Sequence, residues 1–440
     1  MNVPDIMTLL TVYPHYQALS NHSLLLLLSH IDDENGLATD GACTYDEHFF
    51  DAAARKVQAR APTLGDLFHK RLNIYRLQHR PATEHQNYFA NIAGALAGAH
   101  SDIDALANTV ENFIRKLEDD DLDEATQASP EGLANLLAEM VPELVRHSIY
   151  DPHSGTGRLL SQVVKSQVSR NKYVSALGQT TSEAGLFYSL VRAFFMDYGL
   201  SFEQVNALKS PPVIEGDLKT FELVVSDLTN IGDEWAPNDA VKDQFGRYKF
   251  GIPARGKSSW AFLQHMLACM NPHYGLVMAV VDEGALLRTG KEADIRRSII
   301  ESNLLDAVIY LPQKLYRSDP RRLVILTFKA SRGDAPMLLL DGSGLYSSGK
   351  SLNSLTPEAI QTLSGHFTRR VSGTNIVRLL SISELQENDY ALNVGRYFPS
   401  SSEEWPVDLR SLAHARKYLH KDLEDIGTQI DVLLSEFFAD

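Results

Sequence analysis

The sequence predicts an α/β fold: a mainly parallel sheet covered on both faces, with an N-terminal all-α domain before it and a C-terminal amphipathic helix after it. Three observations carry this. From Ile149 to about Leu340, short and continuously apolar runs alternate with stretches of helical periodicity, the pattern of strands buried on both faces. Residues 1 to about 117 show helical periodicity and no strand alternation. Near the end, Leu412, Leu419, Ile426 and Leu433 recur seven apart, interleaved with Leu423, Ile430 and Phe437. The regions so predicted are 1–124, 125–404 and 405–440.

Within the first region, Leu24–Ile31, Phe49–Val57, Leu64–Tyr75 and Tyr88–Leu117 read as helices. Their histidines have no metal-ligand spacing, and no metal is expected. The acidic run Glu118–Glu124 reads as a solvated connection and marks the boundary. Ser129-Pro130-Glu131 then starts a helix, with proline in the first turn and an acid beside the positive end of the dipole. Candidate strands follow at Ser148–Tyr150, Val174–Leu177, Pro212–Ile214, Leu223–Val225, Leu276–Val281, Asp306–Tyr310, Leu323–Phe328 and Met337–Leu340. Helical patterns at Leu159–Val168, Glu183–Tyr198, Ser259–Met270 and Ile295–Glu301 lie between them.

Ligands of such sheets bind beyond the carboxyl ends of the strands. Asp151, Gly178-Gln179-Thr180, Gly216-Asp217 and Ser226-Asp227 all fall at such ends. Asp151-Pro152-His153-Ser154-Gly155-Thr156-Gly157 joins the first of these strands to a helix. Gly155 and Gly157 let the backbone approach a ligand where a Cβ would clash, although a plain tight turn needs the same glycines. The heptad seam at 412–437 fits a self-associating or partner-binding helix and a self-packed amphipathic helix equally well.

A formal charge of −15 argues against a protein that grips DNA mainly through its own phosphate contacts. The best basic groupings are Arg255 with Lys257, Arg296 with Arg297, and Arg317 with Arg321 and Arg322. A nucleic-acid role would therefore need a basic partner or a local patch. Cys43 and Cys269 cannot form a disulfide framework, the amino terminus lacks a basic signal-peptide region, and Leu24–Leu28 is too short to span a bilayer. A cytoplasmic location is expected.

With these residues in place, the chain resembles the modification (M) subunit of type I restriction–modification systems, adenine-N6 DNA methyltransferases. The resemblance covers about 125–400. Asp151 to Leu160 is similar to the family's D-P-x-x-G-[ST]-G-x-x-L, which carries S-adenosylmethionine. Phe250-Gly251-Ile252-Pro253 and Trp260–Leu267 are similar to its F-G-I-P … [FW]-A-F-[LI]-x-H-x-L. Gly275–Arg288, Ile295–Pro312 and Asn388–Tyr397 continue the match in order. The resemblance implies a Rossmann-like S-adenosylmethionine-dependent methyltransferase sheet and a subunit that meets DNA through a specificity-type partner. It implies cofactor-binding roles for Asp151, Pro152, Ser154, Gly155, Gly157, Gln179, Thr180, Asp217, Ser129 and Pro130.

The departures fall on the chemistry. Where the family has [ND]-P-P-[FYW], this chain reads Asp227-Leu228-Thr229-Asn230. The family's tetrapeptide accepts hydrogen bonds from the adenine amino group and stacks the flipped base. Asp227 keeps an acceptor, but Asn230 offers no aromatic face, and base stacking contributes about 1–3 kcal/mol. The acid of the family's Gly-Gln-Glu, which binds the ribose hydroxyls, is replaced by Thr180, with Glu183 three residues on. The aromatic [FY]-[FY]-[TS]-P becomes Gln127-Ala128-Ser129-Pro130. A divergent enzyme would use Asp227 with an aromatic such as Trp235 or Tyr248. A pseudoenzyme would keep the fold while its pocket drifted. Clustering of the losses on contact residues favours weakened cofactor binding and impaired or lost methyl transfer.

Overall fold

In the computed structural model the described residues are 6–7, 10–11, 20–29, 44–74, 83–97, 103–120, 128–170, 173–196, 199–232, 235–316, 320–350, 352–372, 375–398, 416, 423, 426 and 430. The chain divides into two compact units, Met1–Val394 and Gly395–Asp440. The sheet and its helices lie in the first.

Among the described residues, the N-terminal region forms the helices α1 (Ser20–Ser29), α2 (Glu47–Arg60), α3 (Pro62–Ile74), α4 (Thr83–Ala97) and α5 (Ile103–Asp120). The leucine run of α1 is buried all round, as an apolar helix without a polar face must be. Asp46 starts α2 by accepting a hydrogen bond from the Phe49 amide at 3.0 Å. The core these helices share takes in Phe187, Val191 and Phe194, which come from the sheet region. Phe68 meets Phe187 edge to face at 4.9 Å, and the Arg71 guanidinium lies 4.1 Å over the same ring.

The sheet region runs α6 (Glu131–Met140), β1 (Ser148–Asp151), α7 (Arg158–Arg170), β2 (Ser175–Thr180), α8 (Glu183–Phe194) and β3 (Gly199–Gln204). The hairpin β4 (Val213–Ile214) and β5 (Asp217–Leu218) precedes β6 (Leu223–Asp227), α9 (Pro237–Val241), α10 (Ser258–Ala268) and β7 (Leu276–Asp282). Then come α11 (Glu283–Leu287), α12 (Lys291–Glu301), β8 (Leu305–Gln313), β9 (Arg322–Lys329) and β10 (Met337–Asp341). The pair β11 (Ser347–Ser348) and β12 (Asn353–Ser354), α13 (Pro357–Arg369), β13 (Val377–Leu380) and α14 (Ile382–Glu387) complete it.

Among the described residues, nine strands form one sheet in the order β13-β10-β8-β9-β7-β6-β1-β2-β3. The fold class read from the sequence is the one observed; β11–β13 and the helices α9, α11, α13 and α14 are not among the predicted elements, and three differences bear on the site and its surroundings. First, β9 runs antiparallel between β7 and β8, and β13 antiparallel on the edge. The connection from β8 to β9, residues 314–321, is shorter than the dozen or so residues a parallel crossover takes. Second, Pro212–Ile214 contributes to the separate β4–β5 hairpin, while the sheet gains β3, an exposed and mixed-polarity edge strand. Third, Glu118 is not solvated: α5 extends through it, and its residue exposure is 8%.

Of the predicted seam, Leu412, Leu419, Leu433 and Phe437 lie outside the described residues. Leu423, Ile426 and Ile430 are helical and exposed. No helix among the described residues is long and apolar enough to cross a membrane.

Candidate functional site

Strand order reverses at β1. The chain leaves it toward β2 and β3 on one side, then returns to β6 and β7 on the other. Such a switch point opens a crevice beyond the strand ends. Asp151 ends β1 and Asp227 ends β6, and the two strands are paired. The parallel register places Gly178 opposite Asp151, which brings Gln179 and Thr180 to the same rim.

The loop after β1 is held from below. The Ser154 amide donates to the Gln179 carbonyl at 2.8 Å, and Gly157 donates to the Ser154 carbonyl at 2.7 Å. Gly155 and Gly157 have φ of +53° and +78°, the left-handed region. A Cβ on Gly157 would come within 2.7 Å of Ser189 Oγ, so this glycine serves close packing. Nothing lies within 4 Å of a Cβ placed on Gly155, so its backbone faces open space where a ligand can approach.

Asp151 Oδ1 accepts from Ser226 Oγ at 2.7 Å and from the His153 amide at 3.0 Å. Burial, aided by the nearby Asp227 charge and opposed by these two bonds, pushes its carboxyl up to about 7. Gln179 is fully engaged: its oxygen accepts from Tyr150 Oη at 2.7 Å, and its amide nitrogen donates to Glu203 at 2.9 Å. Thr180 is buried and accepts from the Ser182 amide at 3.3 Å. Glu183, the displaced acid, pairs with Lys70 of α3. Asp217 is exposed on the β4–β5 hairpin, not at the end of a strand of the main sheet.

Asp227 is 8% exposed and its carboxylate is surrounded by donors. Oδ2 accepts from Ser129 Oγ at 2.8 Å and from the Tyr316 hydroxyl. Oδ1 accepts from Thr229 Oγ1 at 2.8 Å and from the Thr229 amide at 3.2 Å. A carboxylate offers about four lone-pair positions, and four donors occupy them. Leu228 is buried, its amide spent on the Val280 carbonyl at 2.9 Å. Ser129 therefore serves the acid, not the α6 N-terminus, where Pro130 stands at the cap without a side-chain bond. Pro152 is buried beneath the loop.

A narrow cleft of about 80 Å³ is lined by His153 of the loop after β1 together with Thr181, Asn206, Trp235, Ser258 and Phe262, among others. The His153 and Phe262 rings are 5.7 Å apart, and Trp235 is fixed by donating Nε1 to the Pro253 carbonyl at 3.1 Å. Tyr248 packs on Trp235 at 4.9 Å. The cleft is smaller than the roughly 300–1,000 Å³ of ordinary ligand sites, so a nucleoside-sized ligand requires it to widen. Among the described residues, no group of three or more His, Cys, Asp or Glu is arranged to hold a metal ion.

Three contributors carried no local signal in the sequence. Tyr316 comes from the β8–β9 connection, and Glu118 and Arg192 come from α5 and α8. Arg192 Nη1 donates to the Thr156 carbonyl of the loop at 2.7 Å and to Glu118 at 2.8 Å. Beneath the rim runs a directional chain. Arg247 can only donate, at 3.2 Å to His265 Nδ1, which leaves Nε2–H to donate to Tyr150 Oη at 2.9 Å. Tyr150 donates in turn to Gln179. Burial and the Arg247 charge depress His265 to about 3, so it is neutral.

Fold and rim geometry define an α/β crevice with two acids at a switch point. The chain matches the N-6 DNA methylase family over residues 101–405, and it belongs to that family. It is 25% identical to the methylase subunit of the type I restriction enzyme MpnII of Mycoplasma pneumoniae, over 71% of this chain and 60% of the relative. It is 24% identical to the MjaVIII methylase subunit of Methanocaldococcus jannaschii, over 67% of this chain and 53% of the relative. The chain thus spans little more than half the length of these relatives. Its fold is similar to the type I restriction–modification methyltransferase subunit of Streptococcus thermophilus, with TM-score 0.70 and 18% identity, over 90% of this chain and 98% of that one.

Proposed function

We propose that this chain is an M-subunit-like homologue of adenine-specific DNA methyltransferases in a DNA modification or defence assembly. In this reading it retains a weakened S-adenosylmethionine site, has impaired or lost methyl transfer, and serves a binding and scaffolding role. Its parts are the helical segment 1–124, the methyltransferase-like domain 125–404 and the tail 405–440. It meets DNA through a specificity-type subunit, which would offset the charge of −15.

The observation that carries the loss of transfer is the occupied Asp227 carboxylate. An adenine amino group needs a free acceptor, and here Ser129, Tyr316 and Thr229 already take its lone pairs. Substrate must displace one of these donors, each such bond to a charged group being worth about 1.5–3 kcal/mol.

The cofactor loop fits its ligand better. The open face of Gly155 and the carboxyl of Asp151 suit the methionine end, with Ser154, Gly157 and the buried Pro152 shaping the turn. Gln179 supports the rim from below, and in this reading Ser129 and Pro130, just ahead of α6, flank the cofactor, with the Ser129 hydroxyl spent on Asp227. Thr180 offers a ribose only a neutral hydroxyl, which weakens binding, and Asp217 would have to reach the adenine from its hairpin. When bound, S-adenosylmethionine supplies the methyl group.

Calorimetry tests this reading. The chain is expected to bind S-adenosylmethionine, to lose that binding at least tenfold with Asp151→Asn, and to keep it within about twofold with Asp227→Ala. No detectable binding by the wild type would contradict it. The alternative is an active adenine-N6 methyltransferase, favoured by a cleft whose wall carries the aromatic rings of Trp235, Phe262 and His153. It requires that methyl incorporation into DNA occur and vanish with Asp227→Ala.

A further inference from the structure

Between the N-terminal helices and the crevice lies a cluster of buried charges that the proposed chemistry does not use. Glu118 of α5 and Arg192 of α8 each expose 1% of their side chains, and Arg158, at the start of α7, exposes 8%. Arg192 reaches both Glu118 oxygens, at 2.8 and 3.0 Å, and binds Glu111 at 2.9 Å. Arg158 pairs with Glu118 through Nη2 and, through Nη1, donates to the Ser129 carbonyl at 3.1 Å. Ser129 in turn caps Asp227 through its hydroxyl.

Charges taken out of water persist only when paired in good geometry, so losing any one partner here leaves an uncompensated buried charge. Burial works to raise the Glu118 carboxyl, yet Arg192 and Arg158 hold it below the usual carboxylate range. One side chain of the helical region therefore reaches two backbone points of the crevice: the Thr156 carbonyl in the loop, through Arg192, and the Ser129 carbonyl, through Arg158. Glu111 is different. It ties Arg192 to Arg115, which leads on to Glu131 on the outer side of α6, and makes no contact with Arg158 or Ser129 in the hydrogen-bond network.

We propose that Glu118 is a positioning residue through which the N-terminal helices hold Asp227 in its capped state, by way of Arg158 and Ser129. The inference rests on reading Asp227 as the acid of the crevice. A displacement of α5, by whatever docks on the helical region, frees Ser129 and with it an acceptor on Asp227. The site is thereby governed from a segment outside the sheet.

The test places 3-fluorotyrosine at position 316 of the full chain and follows its 19F resonance, which reports the hydroxyl's bond to Asp227. Glu118→Gln removes the charge and keeps the shape. Arg158→Lys keeps the charge beside Glu118 but loses the fork that reaches Ser129, so it tests the same limb if Glu118→Gln does not fold. Both are expected to move the resonance by more than a linewidth. Glu111→Gln, which also removes a buried ion pair, is expected to leave it in place. An unmoved resonance in Arg158→Lys, or an equal displacement in Glu111→Gln, overturns the proposal. The readout needs no cofactor and no turnover, so it can fail while S-adenosylmethionine binds, or hold where methyl transfer proves active.

Discussion

Two carboxyls a strand apart have been given opposite environments. Asp151 keeps few donors and deep burial, and its carboxyl rises to about 7 from the ordinary 3.8. Its contribution to stability is therefore full below the ordinary carboxylate range and is lost as pH rises through 7. Asp151→Asn should flatten that part of the pH–stability curve, measured by urea unfolding between pH 4 and 8. The same carboxyl must ionise to hold a cationic ligand. S-adenosylmethionine affinity should accordingly rise with pH up to about 7 and level off above it, with a proton released on binding near neutrality, as calorimetry in buffers of different ionisation enthalpy would detect. Asp227 is instead surrounded by donors. Tyr316→Phe should cost about 1.5–3 kcal/mol of stability, the worth of a hydrogen bond to a charged group.

At the scale of elements, the sequence motifs and their physical roles only partly coincide. Asp151 to Leu160 was legible because strand, turn and helix follow one another and the chemistry is local. The histidine of Trp260–Leu267 was legible as a pattern, but its work was not: His265 lies buried, relaying Arg247 to Tyr150 and Gln179 under the rim. It should remain the neutral Nε2–H tautomer from pH 8 down to about 4, which 15N spectra of the imidazole would record; titration near 6.5 would contradict the chain. Glu222 was invisible. It accepts from the amides of Val145 at 2.7 Å, Arg146 at 2.5 Å and His147 at 2.9 Å, fixing the turn into β1. Val145 and Arg146 are exposed, so water takes up part of the loss, and Glu222→Ala should destabilise the fold by on the order of 1–3 kcal/mol in chemical denaturation. Its partners lie some 75 residues away, beyond any local pattern.

For the whole molecule, alternating apolar runs sufficed for the α/β class; of the four strand-end positions they suggested, Asp151, Gln179–Thr180 and Asp227 share one rim and Asp217 does not. They did not give the direction of β9, because an apolar central strand reads the same either way; only the short 314–321 connection carries that information. That same connection delivers Tyr316 to Asp227, so the topological detail that was hardest to read is the one that caps the acid. Glu118 misled for a related reason: acidic runs are usually solvated, and the arginines that bury this one residue come from α7 and α8, while 121–124 lie outside the described residues.

In the proposed reading the crevice accepts S-adenosylmethionine while Asp227 is withheld from the base. The most direct measurement is tritiated methyl incorporation from saturating S-adenosylmethionine into adenine-containing DNA, with a specificity-type partner present. The wild-type chain should stay at the level of Asp227→Ala. Sustained turnover by the wild type that disappears in Asp227→Ala would contradict the account.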